Sequence, residues 1–276
     1  MVEDRPLRTK PKRRRLRNMS EVRTFFRTNE HPIVFIGPTA FNLLGIDRWV
    51  RGFRYLNYYD SFDGTHPNVF VPRERAAPDG FESIEDICNY LLGHKEVADL
   101  VARNGGRGRA AFLMFDEETE TLARDLGLEV AFPPAALRRR LDSKIVTTQL
   151  GNEAGVPSVP NALGRAATYE ELLALAASAG LGSDLVVQTP YGDSGQTTHF
   201  ITDRAGWDEV AEELVDEDLK VMRRIEPREA AIEGVVTRHG TLVGPLMREL
   251  AGFRTLTPYG GGWCGNDVAP DAFDDR

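Results

Sequence analysis

DLVVQTPYGDSGQTTHFI, residues 184–201, is the most informative stretch of this chain, because an apolar strand runs into a small turn with two glycines and out into a second strand. Gly192 and Gly195 lack a Cβ, so their backbone can adopt positive φ and approach a ligand closely. The turn adds hydroxyl donors beside its N–H groups, from Ser194, Thr197 and Thr198. The stretch predicts a phosphate-binding loop, with a plain β-hairpin turn as the alternative. It does not match the P-loop pattern, because no Gly-Lys-Ser/Thr closes it.

Further segments on either side of this loop add to the pattern. Upstream, Leu141-Asp-Ser-Lys144 opens a helix that ends at Gly155. Downstream, Lys220-Val-Met-Arg-Arg-Ile225 is a candidate strand, and the apolar run 230–237 follows it. In this order the segments resemble the ATP-grasp superfamily, and most closely its biotin carboxylase-like branch.

The resemblance implies ATP and Mg²⁺ as cofactors and gives residues of this chain nucleotide-binding roles. Lys144 matches a lysine that contacts the ATP phosphates, and the loop 191–198 matches the one that covers them. Residues 222–225 match the strand that holds the adenine, and Glu229 or Glu233 matches the carboxylate that binds the ribose. The predicted cofactor-binding residues are Lys144, Gln188, Tyr191, Gly192, Asp193, Ser194, Gly195, Gln196, Thr197, Thr198, Met222, Arg223, Arg224, Ile225, Glu229 and Glu233. No catalytic residue and no metal ligand is assigned.

One departure from the family pattern lies inside the motif. Where the family reads Lys-Pro before the loop, this chain reads Gln188-Thr-Pro190, so a neutral amide replaces a cation. Because a lysine acts on phosphate as a point charge, we expect another cation to compensate, with Arg223 and Arg224 as candidates. The alternative is that the nucleotide is held differently.

A second departure lies at the end of the chain. The family carries its Mg²⁺ ligands near the C-terminus of the fold, and nothing similar follows Val268. We therefore interpret the chain as a partial, truncated ATP-grasp unit whose metal ligands are expected beyond Arg276. On this interpretation the chain alone binds nucleotide without turning it over.

Length and composition are those of an ordinary globular protein. A chain of 276 residues predicts two domains. No apolar run reaches the roughly 18 residues of a membrane span, and no signal-peptide core is present. The cysteines Cys88 and Cys264 form neither a disulfide framework nor a metal-ligand spacing, so we expect a reduced, cytoplasmic protein without membrane contact. The net charge of −8 argues against nucleic acid as the main partner.

The N-terminal segment differs in composition from the rest. Residues 1–19 are rich in lysine and arginine without apolar periodicity, which predicts a disordered basic tail. The alternatives are a segment that contacts RNA, anionic lipid or an acidic partner.

From Ser20 onward the pattern indicates an α/β domain over residues 20–135. Buried strands are predicted at 31–38, 110–115 and 128–132, and helices at 39–47, after Ser83 and after Asp116. Strand and helix alternate at βαβ length, which predicts a mostly parallel sheet.

Residues 136–276 are predicted to be α+β and to form the partial ATP-grasp domain, with a small ATP-binding lobe at about 141–225 and the start of a larger lobe after it. An arginine-rich turn at 137–140 leads into a helix at 143–154 capped by Asp142. Thr168 and Glu171 form a capping box for a second helix. A small antiparallel sheet is predicted from strands at 184–188, 199–202 and 220–224.

Three other features are interpreted more simply. The glycine-rich segment 257–267 is not expected to form a regular element, and is either a mobile lid or a flexible exit. His199 either touches phosphate or has a structural role. Cys264 is not expected to act as a nucleophile, because no activating neighbour is visible.

The resemblance implies ATP-dependent ligation of the carboxylate–amine or carboxylase type. In that chemistry the γ-phosphate passes to a small-molecule carboxylate or bicarbonate, and a nucleophile then attacks the acyl phosphate or carboxyphosphate. The alternative is a non-catalytic nucleotide-binding or interaction module, for which Gln188 and the missing metal-binding strands are the evidence. A third possibility is a nucleic-acid binder that uses the basic tail.

Overall fold

The structure is a computed structural model that describes residues 16–43, 45–192, 195–225, 230–238, 240–259 and 262–268. It divides the chain into two units, residues 1–138 and 139–276. The predicted domain limits at 19 and 135 stay predictions. Of the predicted disordered tail 1–19, residues 1–15 lie outside the described residues. The tail prediction is wrong at its end, because Asn18 caps a helix that begins at Met19.

Five strands build the first unit: β1 (Ile33–Gly37), β2 (Phe53–Asn57), β3 (Val69–Phe70), β4 (Gly108–Phe112) and β5 (Leu128–Val130). They form one parallel sheet in the order β3-β2-β1-β4-β5. Neighbouring residues of a strand face opposite sides, so in β1 Phe35 and Ile36 enter two separate buried clusters. Both faces of the sheet are covered, as parallel sheets require. The predicted parallel α/β unit is confirmed.

The described residues of this unit form the helices α1 (Met19–Arg27), α2 (Ile46–Trp49), α3 (Ile84–Gly93), α4 (Lys95–Arg103) and α5 (Glu117–Asp125). The predicted helix starts at Ser83 and Asp116 are confirmed, because each side chain accepts the backbone N–H three residues on, at 3.0 and 2.8 Å. The predicted continuous helix at 39–47 is wrong. The positive φ of Phe41 (48°) and Gly45 (90°) divides it into a 3₁₀ turn at Phe41–Leu43 and the short α2.

The arginine-rich segment after Pro134 is helical. Helix α6 (Ala135–Asp142) begins where the Pro134 carbonyl accepts the N–H groups of Leu137 and Arg138, at 2.9 and 3.1 Å. The prediction of a turn at 137–140 is therefore wrong, because alanine, leucine and arginine are all good helix formers.

The second unit begins with α7 (Lys144–Glu153), β6 (Asn161–Gly164), α8 (Tyr169–Ser178), β7 (Leu185–Gln188), β8 (Thr198–Ile201), α9 (Arg204–Asp208), α10 (Ala211–Leu214) and β9 (Leu219–Arg223). The strands form an antiparallel sheet in the order β6-β9-β7-β8, which confirms the predicted sheet and adds β6 as a fourth strand. One face packs against α8, α9 and α10 in a core that includes Leu172, Leu185, Trp207, Leu214 and Val221.

The cap of α7 is Ser143, so the assignment of this role to Asp142 is wrong. The Ser143 Oγ accepts the N–H of Val146 at 3.3 Å, while Asp142 is the last residue of α6. Gly155, with φ of 67°, ends α7 as predicted.

A second sheet of this unit consists of β10 (Ala230–Thr237), β11 (Gly240–Ala251) and β12 (Trp263–Asp267) in antiparallel order. The prediction that 257–267 forms no regular element is wrong for β12, because its pairing with β11 orders the backbone despite Gly265. The lid interpretation falls partly on Gly260 and Gly261, which lie outside the described residues. None of the described helices combines the length and the apolar character needed to cross a membrane.

Candidate functional site

The sheet β6-β9-β7-β8 has a second face, opposite its helix-covered core, and the strand register orders the side chains on it into two rows. The first row lies beside the loop that follows β7 and consists of Thr198, Gln188, Lys220 and Leu163. The second row lies one step further along the strands and consists of Phe200, Val186, Met222 and Asn161. The residues between the rows, such as Val187 and Val221, are buried on the core side.

The two rows differ in chemistry. In the first row, the Gln188 Nε2 donates to the Thr198 Oγ1 at 3.0 Å, and Lys220 is the residue of β9 that pairs with Gln188. In the second row, the Phe200 side chain is 43% exposed and Met222 is 9% exposed. The face therefore offers hydrogen-bonding and cationic groups beside the loop and apolar groups beyond them.

Helix α7 begins at this loop, which places Lys144 beside it. The Lys144 backbone N–H donates to the Pro190 carbonyl at 2.8 Å, and its Nζ donates to the Gly192 carbonyl. A cation at a helix N-terminus opposes the helix dipole, so this position favours an anion nearby. The structure thus brings the predicted lysine and the predicted loop together.

The loop keeps its shape through glycine and its own hydroxyls. Gly192 has φ of 119°, and a Cβ there would lie 2.4 Å from the Thr197 side chain. The Thr197 Oγ1 donates to the Tyr191 carbonyl at 2.9 Å, so this hydroxyl is engaged within the loop. Gly195 also has positive φ, 83°, and Gln196 is exposed. Asp193 and Ser194 lie outside the described residues.

Lys220 lies on this face of the sheet but was not among the cofactor-binding residues predicted from the sequence. It lines a pocket of about 310 Å³ with Met222, the segment 156–159 and the inner side of α7. Partial burial lowers the pKa of Lys220, and the charge of Lys144 lowers it further. The alternation of side chains along β9 could have predicted that Lys220 and Met222 lie on one face of the sheet. The pairing of Lys220 with Gln188 could not be predicted in this way, because it depends on the register between strands that are distant in sequence.

The two arginines that were expected to compensate for Gln188 lie elsewhere. The Arg223 guanidinium donates to the carbonyls of Gly180 and Leu181, and Arg223 pairs with Leu185 at the end of β7 away from the loop. Arg224 lies 3.8 Å from the Asp184 carboxylate, and its guanidinium stands over the Phe200 ring at 5.3 Å. Because β9 runs antiparallel to β7, Lys220 and not an arginine is brought opposite Gln188.

The remaining predicted residues are placed as follows. Ile225 follows β9 and is largely exposed, and Glu233 lies on β10 at a bulge between Ile232 and Gly234. Glu229 lies outside the described residues. His199 faces the core side of the sheet, with its Nε2 3.6 Å from the Glu213 carboxylate, which favours the structural interpretation.

Among the described residues, no group of three or more histidine, cysteine, aspartate or glutamate side chains is arranged to hold a metal ion. The expected Mg²⁺ ligands therefore stay a prediction.

No protein-family model matches the chain. No curated protein matches it either. Solved structures do, including a carboxyaminoimidazole ribonucleotide synthase from Aspergillus clavatus complexed with ATP, with a TM-score of 0.51 and 14% identity over 80% of this chain and 54% of that one. The N5-carboxyaminoimidazole synthase from the same organism, in complex with ADP and 5-aminoimidazole ribonucleotide, has a TM-score of 0.52 and 14% identity over 80% and 53%. An ADP complex of N5-carboxyaminoimidazole ribonucleotide synthetase has a TM-score of 0.52 and 13% identity over 80% and 54%.

The chain has an ATP-grasp fold. For the fold, this confirms the resemblance to ATP-grasp proteins that the sequence motifs indicated. The chain spans about half the length of the enzymes it matches.

Proposed function

We propose that this ATP-grasp chain binds ATP on the two-row face of the sheet β6-β9-β7-β8 and serves ATP-dependent ligation. The observation that carries the proposal is the meeting of the α7 N-terminus, through Lys144, with the glycine loop at the cationic end of that face. A polyanion with an apolar, planar group attached suits a surface that is cationic at one end and apolar at the other.

The proposed placement of ATP follows from the two rows. The phosphates lie at the first row, where Lys144 neutralises charge and the loop 191–198 covers them. The adenine lies at the second row, against Val186 and Met222. The N–H groups of Arg223 and Arg224 already donate to the carbonyls of Pro160 and Asp184, so backbone hydrogen bonds to the base would come from the residues that follow, beginning at Ile225. The ribose would then reach Glu229 or Glu233.

The ligase part of the proposal is supported by the similar structures. All three reported above are complexes with ATP or ADP, and two bear the name of a synthase and one of a synthetase. We propose a reaction in which the γ-phosphate passes from ATP to a small carboxylate or bicarbonate, with release of ADP. A nucleophile then attacks the carbonyl carbon of the acyl phosphate or carboxyphosphate and displaces phosphate. In phosphoryl transfer the protein mainly positions the reactants and stabilises developing charge, and Lys144 at the start of α7 supplies a cation for this purpose. The described residues provide no set of carboxylates for Mg²⁺, so no step is assigned to the metal.

The second candidate function is a non-catalytic nucleotide-binding module, which the neutral Gln188 beside the loop favours. Release of ADP in the presence of Mg²⁺ and a carboxylate or bicarbonate separates the two candidates. Turnover that is lost in Lys144→Ala supports the ligase. ATP binding without turnover supports the module when the assay uses the full-length protein, because the ligase interpretation itself expects residues 1–276 alone to bind ATP without turnover.

A further inference from the structure

Lys220 occupies a position that is unfavourable for a cation in the ligand-free protein. Its side chain is partly buried against the pocket beneath α7, and the charged neighbour that most affects it, Lys144, has the same sign. No ion pair of Lys220 occurs among the described residues. A buried or half-buried cation without a counter-ion lowers stability unless a ligand supplies the opposite charge.

The register gives this cation a specific neighbour. Gln188 and Lys220 are directly paired across the antiparallel strands β7 and β9, and Gln188 is the last residue of β7 before the glycine loop. The Cβ atoms of such a pair lie about 4.5–5.5 Å apart. A flexible lysine on β9 therefore reaches the space that a lysine at position 188 would reach.

We infer that Lys220 is the second phosphate-binding cation of the site, which acts with Lys144 from the strand neighbouring the uncharged Gln188. The inference rests on the proposed function. It gives a reason for a second lysine at the loop end of the two-row face, since a bound polyphosphate would supply the opposite charge that the partly buried Lys220 lacks. It also assigns the compensating charge to Lys220, which pairs with the last residue of β7 before the loop. Arg223 and Arg224 lie at the opposite end of β9.

The first test compares nucleotide affinities by calorimetry. Lys220→Gln should weaken ATP binding by about ten- to a hundredfold, because a charge-assisted contact is worth about 1.5–3 kcal/mol. AMP should lose much less, so that the preference for ATP over AMP shrinks. Lys220→Arg should keep most of the affinity, and Lys95→Gln, which removes an exposed lysine of the other unit, should change nothing.

The second test asks whether ATP binding needs a positive charge at this strand pair, regardless of whether residue 188 or residue 220 carries it. The double variant Gln188→Lys with Lys220→Gln moves the cation across the strand pair and should regain most of the ATP affinity that Lys220→Gln loses. In addition, Lys220→Gln should raise the melting temperature of the ligand-free protein, because it removes a desolvated charge that Lys144 repels. A lysine with a merely structural role would lower that temperature when replaced.

The outcomes separate the two proposals. If the wild type binds ATP and Lys220→Gln binds it equally well, the role of Lys220 is overturned while the proposed function stands. If the double variant remains as weak as Lys220→Gln, the idea of a shared cation position is overturned. If the wild type binds no ATP, the proposed function fails and the inference fails with it.

Discussion

Gln188 and Lys220 lie directly opposite each other on β7 and β9, and Lys220 is close enough to Lys144 for their charges to repel. The neutral residue before the glycine loop is thus next to a cation contributed by the neighbouring strand. The arrangement concentrates positive charge where α7 begins and where the loop leaves the sheet. The predictions below test what this end of the sheet binds and what holds it in shape.

Lys144→Ala should weaken ATP and ADP binding by about tenfold or more, because the ammonium group at the start of α7 meets the phosphates. Lys95→Ala is the matched control, since Lys95 is also the first residue of an α-helix and is exposed. Calorimetric titration of both variants with ATP measures the difference. Equal affinities for the two variants would contradict the placement of the phosphates beside Lys144.

Gly192→Ala should disturb the loop more than glycine replacement elsewhere. At φ of 119°, a Cβ at Gly192 would collide with Thr197, so we expect a loss of about 1–3 kcal/mol in unfolding free energy and a weaker ATP-induced rise in melting temperature. Gly180→Ala is the control, because Gly180 also has positive φ, 66°, but its Cβ would meet nothing within 4 Å. A variant Gly192→Ala that binds ATP like Gly180→Ala would show that the loop does not touch the nucleotide.

Ser143→Ala should lower both stability and nucleotide affinity. Loss of the helix cap that bonds Val146 costs about 0.5–2 kcal/mol, and the same first turn of α7 positions Lys144. Thr168→Ala removes the equivalent cap of α8, which is remote from the loop, and should lower stability alone. Denaturant unfolding and ATP titration of both variants provide the comparison. If the two variants bind ATP alike, α7 does not position the site.

Cys88 should resist thiol reagents in the folded protein. Burial, followed by the nearby charges of Glu85 and Asp116, raises the pKa of the Cys88 thiol to about 12, so almost no thiolate is present at pH 8. Cys264 is partly accessible and should react. We expect one reactive thiol per native chain and two after unfolding in guanidinium chloride. Fast reaction of both thiols in the native protein would contradict the burial of Cys88.

The same raised pKa has a consequence for stability. As the pH rises, the Cys88 thiol loses its proton in the unfolded chain at about pH 8.5, the ordinary thiol value, but in the folded protein only near pH 12. The free energy of unfolding is therefore unaffected by the ionisation of Cys88 below about pH 8.5 and declines as the pH rises from there toward about 12. Cys88→Ala should flatten this decline in unfolding free energy measured between pH 8 and 10. An unchanged slope would contradict the assignment to Cys88.

Much of the fold could be predicted from local signals. The helix starts at Ser83 and Asp116 depend on side chains that bond their own backbone, and such contacts are visible in a short window of sequence. The strands of both predicted sheets are apolar runs bounded by turns. In contrast, α6 was missed because Pro133 and Pro134 indicate a break, although the arginines that follow are good helix formers.

The site was predicted in part, for a similar reason. The loop and Lys144 carry local signals, and the structure joins them through Pro190 and Gly192. The pairing of Gln188 with Lys220 depends on the register of strands that are distant in sequence, and register is set by the packing of the whole sheet. The structure places Arg223 and Arg224 away from the loop, because a shift of a few residues along β9 changes which end of β7 a side chain meets. Their role as compensating cations stays untested.

The central claim is that the two-row face binds ATP, and the most direct measurement is the melting temperature of the chain with and without nucleotide. A ligand bound only by the native state stabilises it by mass action, so ATP and ADP at millimolar concentration should raise the melting temperature, and Lys144→Ala should reduce that rise. Lys95→Ala should leave it unchanged. No rise with ATP or ADP, with or without Mg²⁺, would contradict the account.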